Sequence, residues 1–146
     1  YFTDMDEDEI HHTVEESLKL VNLEGLGDKN TSELSGGMRK RVGLARAIVL
    51  RPKYILYDEP TAGLDPIISD EINDLIISMS DELDITSIVV THNMHSVFRI
   101  ADKIVFLNDQ QLAWHGSIDE LRATMYEPLI NFMKASEYHM NKQLKE

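Results

Sequence analysis

Tyr54-Ile55-Leu56-Tyr57-Asp58-Glu59-Pro60 and Thr86-Ser87-Ile88-Val89-Val90-Thr91-His92, separated by one helix-length segment, decide the fold. The first is a short apolar run closed by two carboxylates and a proline, which reads as a buried strand with Asp58 and Glu59 emerging at its C-terminal end. The second is β-branched and reads as another strand. Between them Ile68, Ile72, Leu75, Ile76, Met79 and Leu83 recur at helical spacing, after a loop marked by Pro60 and Gly63. Strand, helix, strand in this order predicts a parallel pair with a right-handed crossover, so the class is α/β. Ligands of such sheets lie off the carboxyl ends of the strands, which directs attention to Asp58, Glu59 and His92.

Working outward, Ile10, Val14, Leu18 and Val21 predict an amphipathic helix from about residue 7 to 21, broken by Gly25, Gly27, Asp28 and Asn30. Asp4, Asp6, Glu7, Asp8 and Glu9 crowd its start, where negative charge complements the helix dipole. A second helix begins at Ser35-Gly36-Gly37, carries Met38, Val42, Ala45 and Val49 on one stripe, and stops at Pro52. Downstream, a short helix from about Met94 to Ala101 leads into a hairpin, Lys103 to Leu107 and Gln111 to Trp114, turning at Asn108-Asp109. Ser117 is placed to cap a helix running through Thr124. Pro128 opens a last helix to about Glu137, with a frayed polar tail beyond it.

The 146 residues suit one domain, and no apolar run approaches the roughly 18 needed to cross a bilayer. The acidic start is unlike a signal peptide, so a cytosolic location is expected. With no cysteine, disulfides and thiolate metal sites are excluded. The formal net charge of -12 argues against nucleic acid as a partner. Arg39, Lys40, Arg41, Arg46, Arg51 and Lys53 nevertheless gather in one short stretch, which reads most simply as a solvated face.

Three features can carry chemistry, and each also has a plain structural reading. Leu34-Ser35-Gly36-Gly37-Met38 places glycines and a hydroxyl at a helix N-terminus, where free amides and the dipole favour a phosphate; it is equally an ordinary cap. Asp58 at a strand end can hold magnesium, and the adjacent Glu59 can orient or deprotonate an attacking water; the same residues also make a turn. His92 after the second strand can bond a γ-phosphate oxygen or serve structure alone.

Taken together, Leu34 to Met38, Tyr54 to Pro60, Ala62-Gly63-Leu64-Asp65 and Thr91-His92 resemble in order and spacing the signature motif, Walker B motif, D-loop and switch histidine of ABC ATPases. The resemblance runs from about Glu33 to Leu121. It implies a partial P-loop NTPase (ABC ATPase) fold in which residues 1–52 belong to the helical signature subdomain, 53–125 to the C-terminal half of the ATPase core with its hairpin, and 126–146 to a C-terminal helix and tail. It implies ATP and Mg2+ as cofactors and a head-to-tail dimer with a second ATPase subunit. Leu34, Ser35, Gly36, Gly37, Met38 and Asp65 would then address nucleotide across the dimer, Asp58 would be the metal ligand, Glu59 the general base and His92 the γ-phosphate sensor. Membrane permease subunits would hold the protein peripherally on the inner membrane. Met38-Arg39-Lys40-Arg41-Val42-Gly43-Leu44-Ala45-Arg46-Ala47 further resembles the ATPases of Mla-type phospholipid, solvent or sterol transporters, implying a lipid cargo and an MCE-type substrate-binding protein.

The family pattern is incomplete. No Gly-x-x-x-x-Gly-Lys-Ser/Thr occurs, and Gly25-Leu26-Gly27-Asp28-Lys29 has the wrong spacing and no preceding strand. The only glutamines, Gln110, Gln111 and Gln143, lie downstream of the signature, where the family's Q-loop is upstream. The adenine-stacking aromatic is also upstream in the family, so Tyr1 and Phe2 are poor candidates. The chain begins with Tyr1 and not Met, so it is expected to be part of a longer ATPase, inactive alone, with sheet edges and apolar surface left unpaired. Asn93, where the family often has aspartate, and Gln110, where it often has glycine, are smaller departures. Two other readings stay open: a non-catalytic module retaining the dimer face, and an ATPase of chromosome maintenance or translation, although no long coiled coil or tandem cassette is present.

Overall fold

A computed structural model describes residues 5–143, with side chains described as far as residue 136; Tyr1, Phe2, Asp4 and the last tail residues lie outside this range. The chain divides after Val90 into two compact units.

The first unit opens with α1 (Glu7–Leu20), where Asp6 and Glu9 form a capping box and Glu7, Asp8 and Glu9 occupy the first turn. Both devices neutralise the free amides that a helix start exposes. Val21 is the C-cap of α1, and Asn22 takes the left-handed conformation (φ +57°). A short 3-10 turn, Thr31–Glu33, precedes α2 (Gly36–Ile48). β1 (Tyr54–Asp58), α3 (Pro66–Leu83) and β2 (Thr86–Val90) complete the unit. The two strands are parallel, with Tyr54 opposite Thr86 and Asp58 opposite Val90. Leu18, Val21, Leu34, Leu44, Ile48, Ile55, Tyr57, Ile72, Ile76 and Met79 are buried and make its core.

One expectation needs correcting: β1 is not a buried strand. Ile55 and Tyr57 are buried, but on the alternate face Tyr54 and Leu56 are 67% and 73% exposed, beside Ile88 and Val90 of β2 at 51% and 58%. Side chains alternate across a strand, and within the described residues this sheet has two strands and cover on one face only. Asp58 belongs to the open face, in register with Leu56.

The second unit holds α4 (Met94–Ile100), β3 (Ile104–Asn108), β4 (Gln111–Gly116), α5 (Ile118–Arg122) and α6 (Glu127–Gln143). Met94, Leu121 and Leu129 form its core, with Val97, Ile104, Phe106, Trp114, Tyr126 and Phe132 packed against them. β3 and β4 are antiparallel, with a register shift between Phe106 and Leu107. The turn falls on Asp109-Gln110, both at positive φ, one residue beyond the expected Asn108-Asp109. Ser117 caps α5 as anticipated, and its amide donates to Glu120 at 2.7 Å, holding that carboxyl below the ordinary carboxylate range. α5 stops at Arg122, short of Thr124. α6 runs to Gln143 instead of ending near Glu137, since its sequence past that point contains no glycine or proline to interrupt a nucleated helix.

Candidate functional site

The signature segment is built on the start of α2. Ser35 is extended (φ -64°, ψ 168°) and its hydroxyl accepts from the Met38 amide at 3.2 Å, so Ser35 is the N-cap and Gly36 the first helical residue. Ser35 and Gly36 are exposed, Gly37 and Met38 half-buried. Leu34 is buried, so its side chain anchors the turn and faces no solvent; its carbonyl accepts from Arg39. The two glycines serve differently. A Cβ on Gly37 would lie 2.8 Å from Ile68 Cγ2, so a side chain there would force a shift where α2 approaches α3. A Cβ on Gly36 would meet only Leu64 Cδ2 at an ordinary 3.8 Å, so internal packing does not require a glycine there.

The carboxylate segment closes β1. Asp58 is exposed at the strand's last position. Glu59, half-buried, has φ +45°, a conformation that costs a non-glycine residue roughly 1–2 kcal/mol. Three hydrogen bonds hold its peptide groups: the Glu59 amide donates to Val90 O at 2.9 Å, while Glu59 O accepts from the Ala62 amide at 3.2 Å and from Lys40 Nζ at 3.2 Å. Pro60 and Thr61 behind it are buried. Asp65 then caps α3, accepting from the Ile68 amide at 3.0 Å, with Pro66 in the first turn.

The first unit therefore brings the signature turn beside Leu64 and Ile68, and α2 against Glu59. A cavity of about 210 Å³ lies between α2 and β1, lined in part by Lys40, Gly43, Leu56 and Asp58. His92, exposed, stands two residues beyond Val90 and opens the second unit. Asn93 caps α4, its side chain accepting from the His95 and Ser96 amides at 3.0 and 3.3 Å, so the departure from aspartate keeps a capping oxygen. Lys40, expected on a solvated basic face, is instead half-buried, and its bond to Glu59 spans 19 positions, beyond the reach of local pattern.

For a magnesium ion, Asp58 could supply one carboxylate, and no group of three or more His, Cys, Asp or Glu among the described residues could hold a metal. That donor set fits an ion whose remaining ligands are phosphate oxygens and water. For a nucleotide, the N-terminus of α2 offers amides and a hydroxyl to one phosphate group.

Known proteins share this fold. Residues 2–62 match the protein family described as ABC transporter. The ADP conformation of MJ1267, an ATP-binding cassette of an ABC transporter, superposes with a TM-score of 0.77 at 25% identity, over 88% of this chain and 51% of its own. A cbiO1 subunit from Clostridium perfringens, part of the ABC transporter complex cbiONQ, gives 0.77 at 33% identity, over 99% of this chain and 57% of its own. This is the ABC ATPase fold, present in part.

In sequence the chain is 38% identical over 116 residues to the Fe(3+) ions import ATP-binding protein FbpC of Photobacterium profundum, covering 80% of this chain and 33% of that protein. It is 39% identical over 142 residues to the protein trigalactosyldiacylglycerol 3, chloroplastic, of Arabidopsis thaliana, covering 86% and 41%. The chain thus spans a third to two fifths of the length of these relatives. Among the described residues no helix is long and apolar enough to cross a membrane.

Proposed function

We propose that this chain is the part of an ABC transporter ATPase that bears the signature, Walker B, D-loop and switch segments, and that within the complete subunit it hydrolyses ATP to drive transport. The observation that carries this reading is Glu59, a non-glycine residue in left-handed backbone directly after Asp58 at the strand end. Strain of this kind persists where the surroundings over-determine it, and it concentrates at active sites. Glu59 accepts a proton from the attacking water, Asp58 holds the magnesium shell, and His92 bonds the γ-phosphate. The exposed turn at Ser35 and Gly36 addresses nucleotide bound mainly by a second subunit in a head-to-tail dimer. Gly36 supports this: packing leaves room for a side chain there, so a ligand approaching the backbone is a reason for its absence. Residues 1–52 serve as signature subdomain, 53–125 as core and 126–146 as terminal helix and tail, and permease subunits hold the assembly at the membrane.

The finer reading is a phospholipid or related lipid as cargo, delivered with an MCE-type binding protein. It rests on the resemblance of Met38 to Ala47. Relatives carry names as different as iron import and methionine import, and cargo is read by permease and binding protein, so the assembled transporter is the object to assay.

The test is ATP hydrolysis by the subunit containing this chain, with and without Glu59→Gln, beside the chain of residues 1–146 alone. Turnover in the subunit, lost with Glu59→Gln and absent from the short chain, is expected. Turnover that survives Glu59→Gln refutes the assignment; absence of turnover in every form favours the non-catalytic module.

A further inference from the structure

We infer that Lys40 is a positioning residue for Glu59, a role that rests on the reading of Glu59 as the general base. Glu59 needs an external restraint, because its φ of +45° is one that an unconstrained glutamate leaves for the β or right-handed region. The bonds around it share the task unequally. The Val90 carbonyl fixes the Glu59 amide as an extension of the sheet, and the Ala62 amide closes a local turn on the Glu59 carbonyl. Both are main-chain bonds that almost any sequence could make. Lys40 differs from both: it reaches Glu59 O with a side chain, from another element.

The placement suits a clamp. Lys40 is half-buried, so its stem is held by packing while the ammonium donates at 3.2 Å. A charged donor makes a stronger bond to a carbonyl than a neutral one. Fixing that carbonyl fixes the Glu59–Pro60 peptide, and with it the direction in which the Glu59 Cα–Cβ bond leaves the strand end. Lys40 also lies four residues after Gly36, on the same face of α2, so one rigid helix joins the signature turn to the peptide of the carboxylate. Arg41, the next residue, pairs with Glu71 of α3 and donates to Val21 O, which fixes the azimuth of α2 from the other side. Lys40 touches no reacting atom in this account; it acts through Glu59.

The experiment compares Lys40→Met, which keeps the stem and removes the donor, with Lys40→Arg, which keeps a donor, in the complete ATPase subunit, with Glu59→Gln as reference. Steady-state kinetics and hydrogen exchange at the Ala62 amide are read together. Misplacing a catalytic group by about an ångström costs up to about a hundredfold in rate, so Lys40→Met is expected to lower kcat about ten- to a hundredfold while KM changes less than about twofold. Ala62 exchange should quicken in Lys40→Met, and Lys40→Arg should recover most of both. Unchanged kcat in Lys40→Met beside an inactive Glu59→Gln overturns the positioning role and leaves the general base standing. An active Glu59→Gln overturns both. Equal loss in Lys40→Met and Lys40→Arg, with Ala62 exchange unchanged, also overturns it.

Discussion

Gly37 sits where two explanations of a signature glycine compete, and a methyl group separates them. Replacing it with alanine places a Cβ 2.8 Å from Ile68 Cγ2. Carbon atoms rest comfortably at about 3.5–4.0 Å, so roughly an ångström of relief is required. Ile68 cannot supply it by rotating, because a β-branched side chain in a helix is confined to one χ1 well, and Ile68 lies in the first turn of α3 under the Asp65 cap. The helices must part instead, at an overpacking cost of about 1–3 kcal/mol. Against this stands a gain of at most about 1 kcal/mol from exchanging glycine for alanine in a helix. Gly37→Ala should therefore be destabilising by about 0–2 kcal/mol. The sharper quantity is the coupling: Ile68→Ala removes Cγ2, so in that background Gly37→Ala should turn neutral or stabilising, an interaction energy of at least about 1 kcal/mol. Urea unfolding of the wild type, both single variants and the double variant measures it. Additivity to within about 0.5 kcal/mol would show that α2 and α3 do not meet as described, and would leave ligand approach as the reason for Gly37.

Two further glycine exchanges test the backbone. Asp109 (φ +49°) and Gln110 (φ +61°) form a two-residue hairpin turn of the type that favours glycine at its second position, so Gln110→Gly should stabilise the second unit by about 1 kcal/mol, read as a rise in its thermal midpoint; a fall would show that the Gln110 side chain makes a contact worth more than the strain. Gly43 lies exposed in the middle of α2 with no atom within 4 Å of where its Cβ would stand, so Gly43→Ala should raise stability by about 0.5–1 kcal/mol in urea; destabilisation would place an unseen neighbour against that face.

The parallel pair was legible because apolar and β-branched runs bracket a helical period, and nothing in 54–92 offers a competing pattern. Side-chain alternation was not legible in β1, since Tyr54, Leu56 and Ile55, Tyr57 are equally apolar and no letter says which face is covered; the structure shows cover on the Ile55 and Tyr57 side alone. The strain at Glu59 was hidden for a related reason. Glutamate carries no turn preference, so the left-handed conformation is imposed by the sheet bond to Val90 and by what surrounds the peptide, both of them tertiary. Gly37 and Lys40 illustrate the same limit. Their neighbours, Ile68 and Glu59, lie 31 and 19 positions away, distances over which local pattern has no reach.

Ser35 raised the choice between a cap and a phosphate ligand, and the geometry makes the alternatives compatible. As N-cap the hydroxyl oxygen accepts from the Met38 amide, which uses a lone pair and leaves its proton to donate. A donor fixed in this way has one less torsion to settle when an anion arrives, so capping lowers the cost of binding. Asp65 repeats the logic with opposite polarity: Oδ1 is committed to the Ile68 amide and orients the carboxylate, while Oδ2 retains its acceptor capacity. Caps at the starts of α2 and α3 thus convert two flexible polar side chains into directed ones. Both remain exposed, and the packing of Gly37 against Ile68 ties the two helix starts together, so the two directed side chains keep a fixed separation.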